Sequence, residues 1–280
     1  MLKADLHLHS NCSDGSDTIE SLAEKIENSN INIFALTDHD TVEGCEEMSQ
    51  KISSEIKFIP SVELTCKAGD IKCHILGYNC DYKNPILLDL IAKGKELRRK
   101  KLETRIQYLK ETWDIELTKD ELDWLYSRKS VVKTHIANVL VQRGLALDNL
   151  SAMKKYLDGC KAGDTRFTGE EAINAIIASG GIPVWAHPLG GEGEEHIDSE
   201  SFLPMLEKMI EFGIQGLECY YSRYNSNEIN FLISCAKNNN LLISGGSDYH
   251  GNNKNSITIG QLNTENNYIN PNLLTLLEKI

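Results

Sequence analysis

The chain has 280 residues, 41% of them hydrophobic and 25% charged, with a formal net charge of −12. That length buries one barrel-sized core or one domain plus an insertion, and the acidic balance argues against a protein built to coat nucleic acid. No run approaches the roughly 18 apolar residues of a membrane span and the N-terminus lacks an apolar leader, so the chain reads as cytoplasmic with no membrane association.

Residues 4–8, "ADLHL", read as a strand. In a strand, residues i and i+2 share a face, so His7 and His9 project together while Leu6 and Leu8 face apolar packing. Two adjacent imidazoles repel when protonated, and a metal ion resolves this by taking one lone pair from each neutral ring. Alone, such a pair is a weak signal. Residues 18–28 then read as a helix with Asp17 as its cap, 33–37 as a strand and 41–53 as a helix. Strands 57–65 and 71–78 follow, joined by the turn Lys67-Ala68-Gly69-Asp70. From residue 85 to about 155 the periodicity is helical: 87–110, 119–126, 134–143 and 149–156. Alternation returns with helix 169–179, strand 182–185, helix 202–212, strand 216–220, helix 225–238 and strand 241–244. An apolar segment at 257–262 and a C-terminal helix close the chain. The eight cysteines contain no C-x-x-C pair, so reduced, buried thiols are expected rather than disulfides or structural zinc.

Strand–helix alternation on both sides of a helical block implies an α/β barrel over residues 1–84 and 166–280, interrupted by an all-helical insertion at 85–165. Parallel barrels gather reactive residues at the C-terminal ends of their strands. His7 and His9 end the first strand, and "TDHD" (37–40) ends the second. Glu63 lies on the third, His74 on the fourth, "AHP" (186–188) ends the fifth, and "SDYH" (247–250) follows the seventh. Six of the eight histidines thus fall on one rim; His135 lies in the insertion and His196 in an acidic loop. Packing does not explain so many polar groups, because each one buried without a partner costs roughly 2–7 kcal/mol. A multinuclear metal centre is expected.

Together, "DLHLHSNCSDG", "TDHD", "SVELT", "CHILGY", "WAHPLGG" and "SDYH" resemble the motifs of the PHP (polymerase and histidinol phosphatase) superfamily. They are most similar to its branch of nucleotide phosphatases and 5′–3′ exoribonucleases with a helical insertion. The resemblance implies a distorted, TIM-like (β/α)7 barrel whose rim holds three divalent ions of manganese, iron or zinc. Carried over by motif, His7, His9, Glu63 and Asp248 would hold one ion. Glu63, His74 and His187 would hold a second, with Glu63 bridging, and Asp14, His39 and His250 the third. Asp14, Glu63, His187 and Asp248 would stand closest to the chemistry. Imidazole mixed with carboxylate suits Mn²⁺, Fe²⁺ or Zn²⁺ better than Ca²⁺ or Mg²⁺. Asp5 and Asp38 read equally as partners orienting ligand imidazoles or as strand-end polar residues.

Clustered divalent ions neutralise a phosphate ester, lower the pKa of water and align its attack. No G-x-S-x-G nucleophile stands in the chain, so hydrolysis by metal-activated water is expected. "KTHIA" (133–137) stands where the resembling proteins carry Arg-Pro-His and contact substrate phosphate through the histidine. His135 fits that pattern; Lys133 and Thr134 depart from it, lysine keeping the charge without the bidentate fork. His135, Lys133 and Arg128 are the expected substrate contacts. "KGKELRRKK" (93–101) is either a solvated helix face or, bordering the cleft, a seat for further phosphates. The expected activity is phosphate removal from small nucleotides, pAp and AMP among them, and from short RNAs at the 5′ end, with no protein partner implied. A histidinol phosphatase-like monoesterase and a non-catalytic nucleotide- or metal-sensing module are the alternatives. The module would have lost ligands, whereas all nine expected positions are filled.

Overall fold

A computed structural model describes residues 2–68, 71–128, 130–162, 167–191, 195–262 and 267–280. All five residues of β1 (Ala4–Leu8) are buried, as befits a strand with helices outside and a filled interior. It pairs in parallel with β2 (Ile33–Leu36), and β2 with β3 (Lys57–Ala68). β4 (Ile71–Tyr78) runs antiparallel to β3 and to β6 (Ile182–Ala186). Parallel pairing resumes through β7 (Gly216–Tyr221) to β8 (Leu242–Gly246), and the two-residue β5 (Phe167–Thr168) lies beside β3. The chain after β8 returns to β1: the Asp248 N–H donates to the His7 carbonyl and the His9 N–H to the Tyr249 carbonyl, both at 2.9 Å. The result is a nearly closed seven-strand barrel.

The reversed β4 departs from an all-parallel barrel, and the length of its connection explains it. A parallel crossover needs a dozen or more residues, whereas an antiparallel pair closes through a tight turn. β3 ends at Ala68 and β4 starts at Ile71, which leaves room only for a turn. Lys67 and Ala68, expected in that turn, are the last residues of β3, while Gly69 and Asp70 lie outside the described residues. Because β4 starts at the rim, His74 stands opposite Thr65 and Ala186, level with the C-terminal ends of its neighbours.

Helices α1 (Ile19–Asn28) and α2 (Glu43–Lys51) cover the first strands. Thr18, not Asp17, caps α1, accepting from the Ser21 N–H; Asp17 instead pairs with Lys25 and Tyr249. Helix α3 (Pro85–Trp113) opens with Asn84 as cap and proline at a first-turn position, where its missing N–H costs nothing. Then come α4 (Lys119–Tyr126), α5 (Lys133–Gln142) and α6 (Asn149–Ala152), the last running into a π-helical turn at Met153–Leu157. These elements bury Leu102, Leu109, Leu125, Ile136, Leu140 and Leu157 in a cluster separate from the barrel core. Helices α7 (Gly169–Ala178), α8 (Ser199–Glu211) and α9 (Ser226–Asn238) cover the later strands. The C-terminal segment is no α-helix: β9 (Gln261–Leu262) pairs with β10 (Asn267–Tyr268), and 3₁₀ turns at Pro271–Leu273 and Thr275–Glu278 follow. Among the described residues, no helix is long and apolar enough to cross a membrane, and the cysteines form no disulfide.

Barrel closure depends on Gly246. A Cβ there would lie 2.1 Å from the His7 Cβ and 2.5 Å from the His7 nitrogen. Gly246→Ala is therefore expected to cost at least the ~1–3 kcal/mol typical of overpacking. Thermal unfolding would show it as a Tm drop of about 2–4 °C per kcal/mol. An unchanged Tm would mean that β1 and β8 do not meet in this way.

Candidate metal centre

β1 presents His7 and His9, both fully buried, with their Nε2 atoms 3.1 Å apart. β3 places Glu63, also fully buried, beneath them: its Oε2 lies 3.2 Å from His7 Nε2 and 3.1 Å from His9 Nε2. Its other oxygen, Oε1, lies 3.0 Å from His74 Nδ1 on β4 and 3.2 Å from His187 Nε2 just after β6. Asp248, following β8, brings Oδ1 to 3.6 Å from His7, 3.5 Å from His9 and 3.4 Å from His250 Nδ1. Asp14 completes the ring, with Oδ1 3.2 Å from His250 Nε2 and Oδ2 3.9 Å from His39 Nε2. All nine rim residues singled out from the sequence converge. Their grouping is tighter than the motifs implied. His9 stands with Asp14, His39 and His250 as well as with Glu63, and His39 Nδ1 comes within 3.3 Å of Glu63 Oε2.

Charge governs this cluster. Burial works to raise the Glu63 carboxyl, yet His39, His7 and His74 hold it well below the ordinary carboxylate range. The same opposition, between burial and the facing His250 and His39 for Asp14 and Lys254, His250 and His7 for Asp248, lowers both carboxyls. Burial works against a charge on His9, but Asp248 and Glu63 bring it up to about 9. The carboxylates thus demand positive charge around them. His39 Nδ1 is buried without a hydrogen bond, although Glu63 Oε2 is near. A ring nitrogen left in that state, among imidazoles and carboxylates alone, fits divalent metal ions.

Several supporting residues escaped sequence reasoning. Glu218 on β7, fully buried, accepts from His7 Nδ1 at 2.9 Å and from the His187 N–H at 2.8 Å. Its signal was an acidic residue inside the apolar strand "GLECYY". Asp248 Oδ2 accepts from the Tyr221 hydroxyl at 2.8 Å and from Lys254 at 2.6 Å. Asp5 and Asp38 fasten loops rather than imidazoles. Asp5 accepts from the Ser247 hydroxyl and the Gly260 N–H at 2.6 Å, and burial pushes it up to about 6. Asp38 accepts from the hydroxyls of Ser10 and Ser13, both at 2.6 Å.

Above the rim opens a cleft of about 870 Å³, with Asp14, His39, His74 and His187 in its lining. α3 contributes Gly94, Arg98, Lys101 and Arg105, whose spacing puts them on one helical face, and Lys72 and Lys133 add further cations. Part of the basic run therefore borders the cleft. The rest turns away: Lys93 pairs with Glu171, Lys95 with Glu43, Arg99 with Glu103 and Lys100 with Glu96. Arg98 is itself committed to Asp40 and to the Thr65 hydroxyl, strapping α3 to the rim. Of the three expected substrate contacts, only Lys133 lines the cleft, paired with Asp158. Arg128 lies over the Trp124 ring, 4.8 Å from its centroid. His135 is buried, its Nδ1 accepts from the Val132 N–H at 3.0 Å, and burial pulls its pKa down to about 4. The ring is thus neutral and outside the cleft lining, close enough to Asp14 and Ser13 of the rim loop to be influenced by both. His196, not singled out before, does line the cleft.

The PHP domain family model matches residues 5–164. The chain belongs to the PHP domain family. Among its curated relatives is the 5′–3′ exoribonuclease Rnm of Escherichia coli, 29% identical, covering 88% of this chain and 84% of the relative. Another is the 3′,5′-nucleoside bisphosphate phosphatase of Chromobacterium violaceum, 27% identical over 89% of this chain and 88% of the relative. A crystal structure assigned to a metal-dependent phosphoesterase of Bifidobacterium adolescentis superposes with a TM-score of 0.83. It is 25% identical and covers 99% of this chain and 95% of that one. This PHP protein is a metal-dependent phosphoesterase, a hydrolase of phosphate esters.

The state of His135 can be read from stability. Folded, the ring stays neutral down to about pH 4, whereas an exposed histidine titrates near 6.5. Between those values the unfolded chain binds a proton that the folded protein does not, so stability falls as pH falls. The loss is about 1.4 kcal/mol per pH unit, roughly 3 kcal/mol across the window. Urea unfolding of His135→Gln at several pH values is expected to show a shallower acid dependence than the parent over that range. Parallel pH dependences would place the ring in solvent.

Proposed function

We propose that this phosphoesterase removes phosphate from small nucleotides, 3′,5′-bisphosphates such as pAp before AMP, and trims short RNAs from the 5′ end. Three divalent ions (manganese, iron or zinc) serve it: one on His7, His9, Glu63 and Asp248, one on Glu63, His74 and His187, one on Asp14, His39 and His250. The observation that carries the reading is Glu63, which turns one oxygen to His7 and His9 and the other to His74 and His187 on the floor of a cation-walled cleft. The names of the two relatives, an exoribonuclease and a bisphosphate phosphatase, support the substrate class.

When bound, the ions supply charge neutralisation for the phosphoryl group and a lowered pKa for attacking water. The chain's own residues do the rest. Glu63 and Asp248 hold fixed negative charge in a buried floor, and Tyr221 and Lys254 keep Asp248 from rotating. Residues 1–84 and 166–280 form the catalytic barrel, and 85–165 act as the substrate cap. From this cap Lys101, Arg105 and Lys133 face the cleft, joined by Lys72 from β4. They bind phosphates other than the one undergoing hydrolysis, and binding energy gained there is available to the transition state. A cleft of this size accommodates a nucleotide with its phosphates.

Two outcomes test this. Glu63→Gln cannot offer two anionic oxygens, so metal content is expected to fall with activity. The loss should exceed the roughly 10–100-fold typical of partners one contact further from a metal. Elemental analysis of Glu63→Gln retaining a full complement of Mn, Fe or Zn would remove Glu63 from the centre.

The second is a panel of pAp, AMP, a short 5′-phosphorylated RNA and histidinol phosphate on metal-reconstituted protein. pAp is expected to turn over ahead of AMP, both ahead of histidinol phosphate, with RNA cleavage detectable. Lys101→Ala with Arg105→Ala should erode the preference for pAp roughly tenfold to a hundredfold, the worth of one charge-assisted hydrogen bond. Histidinol phosphate turning over fastest would overturn the substrate assignment.

A further inference from the structure

Glu218 meets two rim residues at once. Its Oε1 accepts from the ring of His7, on β1, and its Oε2 from the backbone of His187, after β6. His187 has φ of +28°, a conformation unfavourable for any residue but glycine, so its backbone needs an anchor. The pairing of β7 with β8 shifts register between Glu218 and Tyr220, an irregularity of the kind that re-aims side chains.

The geometry points to Glu218 as a positioning residue of the metal centre, holding His7 with its Nε2 lone pair turned inward while pinning the strained His187. This rests on reading His7 and His187 as ligands. A neutral imidazole has one N–H and one lone pair. Oε1 of the carboxylate can only accept, so a neutral His7 that donates to it from Nδ1 keeps its lone pair on Nε2. That atom is the one 3.1 Å from His9 Nε2 and 3.2 Å from Glu63 Oε2. The His187 N–H is a donor that cannot change. Glu218 therefore faces two donors, and only a carboxylate satisfies both. Glutamine has the same shape with one acceptor and one donor end. Its oxygen would go to the fixed backbone N–H, and its NH₂ would face His7 Nδ1. The His7 ring would then carry its proton on Nε2, where the lone pair is needed. Glu218→Gln thus impairs the centre without deleting a ligand or changing packing volume.

The test is calorimetric titration of chelator-stripped protein with Mn²⁺ alone. Glu218→Gln is expected to weaken binding 10–100-fold. Glu218→Asp, which keeps two accepting oxygens on a shorter stem, should fall between it and the parent. Tyr78→Phe is the control for general loosening. It removes a buried 2.7 Å hydrogen bond to the Ser244 hydroxyl and none to Glu218 or a proposed ligand, although Glu218 and Glu63 are near enough to act on its charge, so it should lower Tm but leave Mn²⁺ affinity within about threefold of the parent. Parent-like binding by Glu218→Gln, or equal weakening by Tyr78→Phe, overturns the assignment. Nitrogen NMR of the zinc-loaded parent needs no variant: a protonated Nδ1 on His7 with Nε2 bound is expected, and the reverse overturns it. A parent protein that binds neither Mn²⁺ nor Zn²⁺ overturns the metal reading beneath, whereas a parent and a Glu218→Gln variant that bind alike overturn this assignment alone.

Discussion

A fully buried carboxylate is tolerated only when positive charge surrounds it, and the architecture of this barrel rim answers that demand at Glu63. Its backbone is held on both sides by the loop after β2: the Asp40 N–H donates to the Glu63 carbonyl at 2.9 Å, and the Glu63 N–H to the Asp38 carbonyl at 3.2 Å. With the main chain fixed, the side chain has little freedom in where its oxygens point. One meets the imidazoles of β1, the other those of β4 and β6. Only a carboxylate offers two equivalent anionic acceptors, and glutamate carries it on a longer stem than aspartate. The remaining site residues are arranged around that divided charge.

The reversal of β4 has a consequence beyond placing His74. A strand that begins at the rim ends at the opposite face, so α3 starts from the far end of the barrel. Twenty-nine residues of helix span about 44 Å at 1.5 Å each, more than the height of the strands. The first turns pack Leu87 and Ile91 into the barrel core, and Gly94 lets the helix approach the Phe167 ring closely. Near mid-helix, Arg98 ties to Asp40 and Thr65 at the rim, and beyond it Leu102 and Leu109 belong to the separate helical cluster. One helix thus carries the basic face from the barrel to the cleft wall.

What was legible in the sequence follows from what short-range patterns encode. Strand alternation and the polar residues at strand ends pointed to the barrel and to a metal-binding rim, because a histidine in a buried strand has few other reasons to be there; the set of nine, Asp14 included, came from the resemblance of the motifs to the PHP superfamily. The antiparallel β4 was not read from the sequence, although its connection is too short for a crossover. Glu218 was missed because a single acidic residue does not disturb an apolar strand pattern, although its burial makes it as informative as any histidine. That His135 and Arg128 do not line the cleft was hidden for another reason. Helical periodicity tells which residues share a face, but only the docking of α5 on its neighbours decides that His135 faces inward and that Arg128 lies against Trp124. The C-terminal segment lost its expected helix where Asn270 and Pro271 impose a local turn chemistry.

A chain with net charge −12 that acts on anionic esters has to separate its overall field from its local one. Salt accomplishes part of this, since charges more than about 8 Å apart in solvent are largely screened at physiological ionic strength. Within the cleft, the nearby groups decide. Acidic partners neutralise the lysines of α3 that face outward, while Lys101 and Arg105 line the cavity. Floor and wall then carry different tasks in the proposed reading. The floor's carboxylates and imidazoles suit cations and the one phosphoryl group that reacts. The wall cations, Lys72 apart, come from a different segment and can read how many further phosphates a substrate carries. Because the two are built on separate elements, the wall can change its charge pattern without disturbing the rim. In the proposed reading, substrate range is set by the helical segment and reaction type by the barrel.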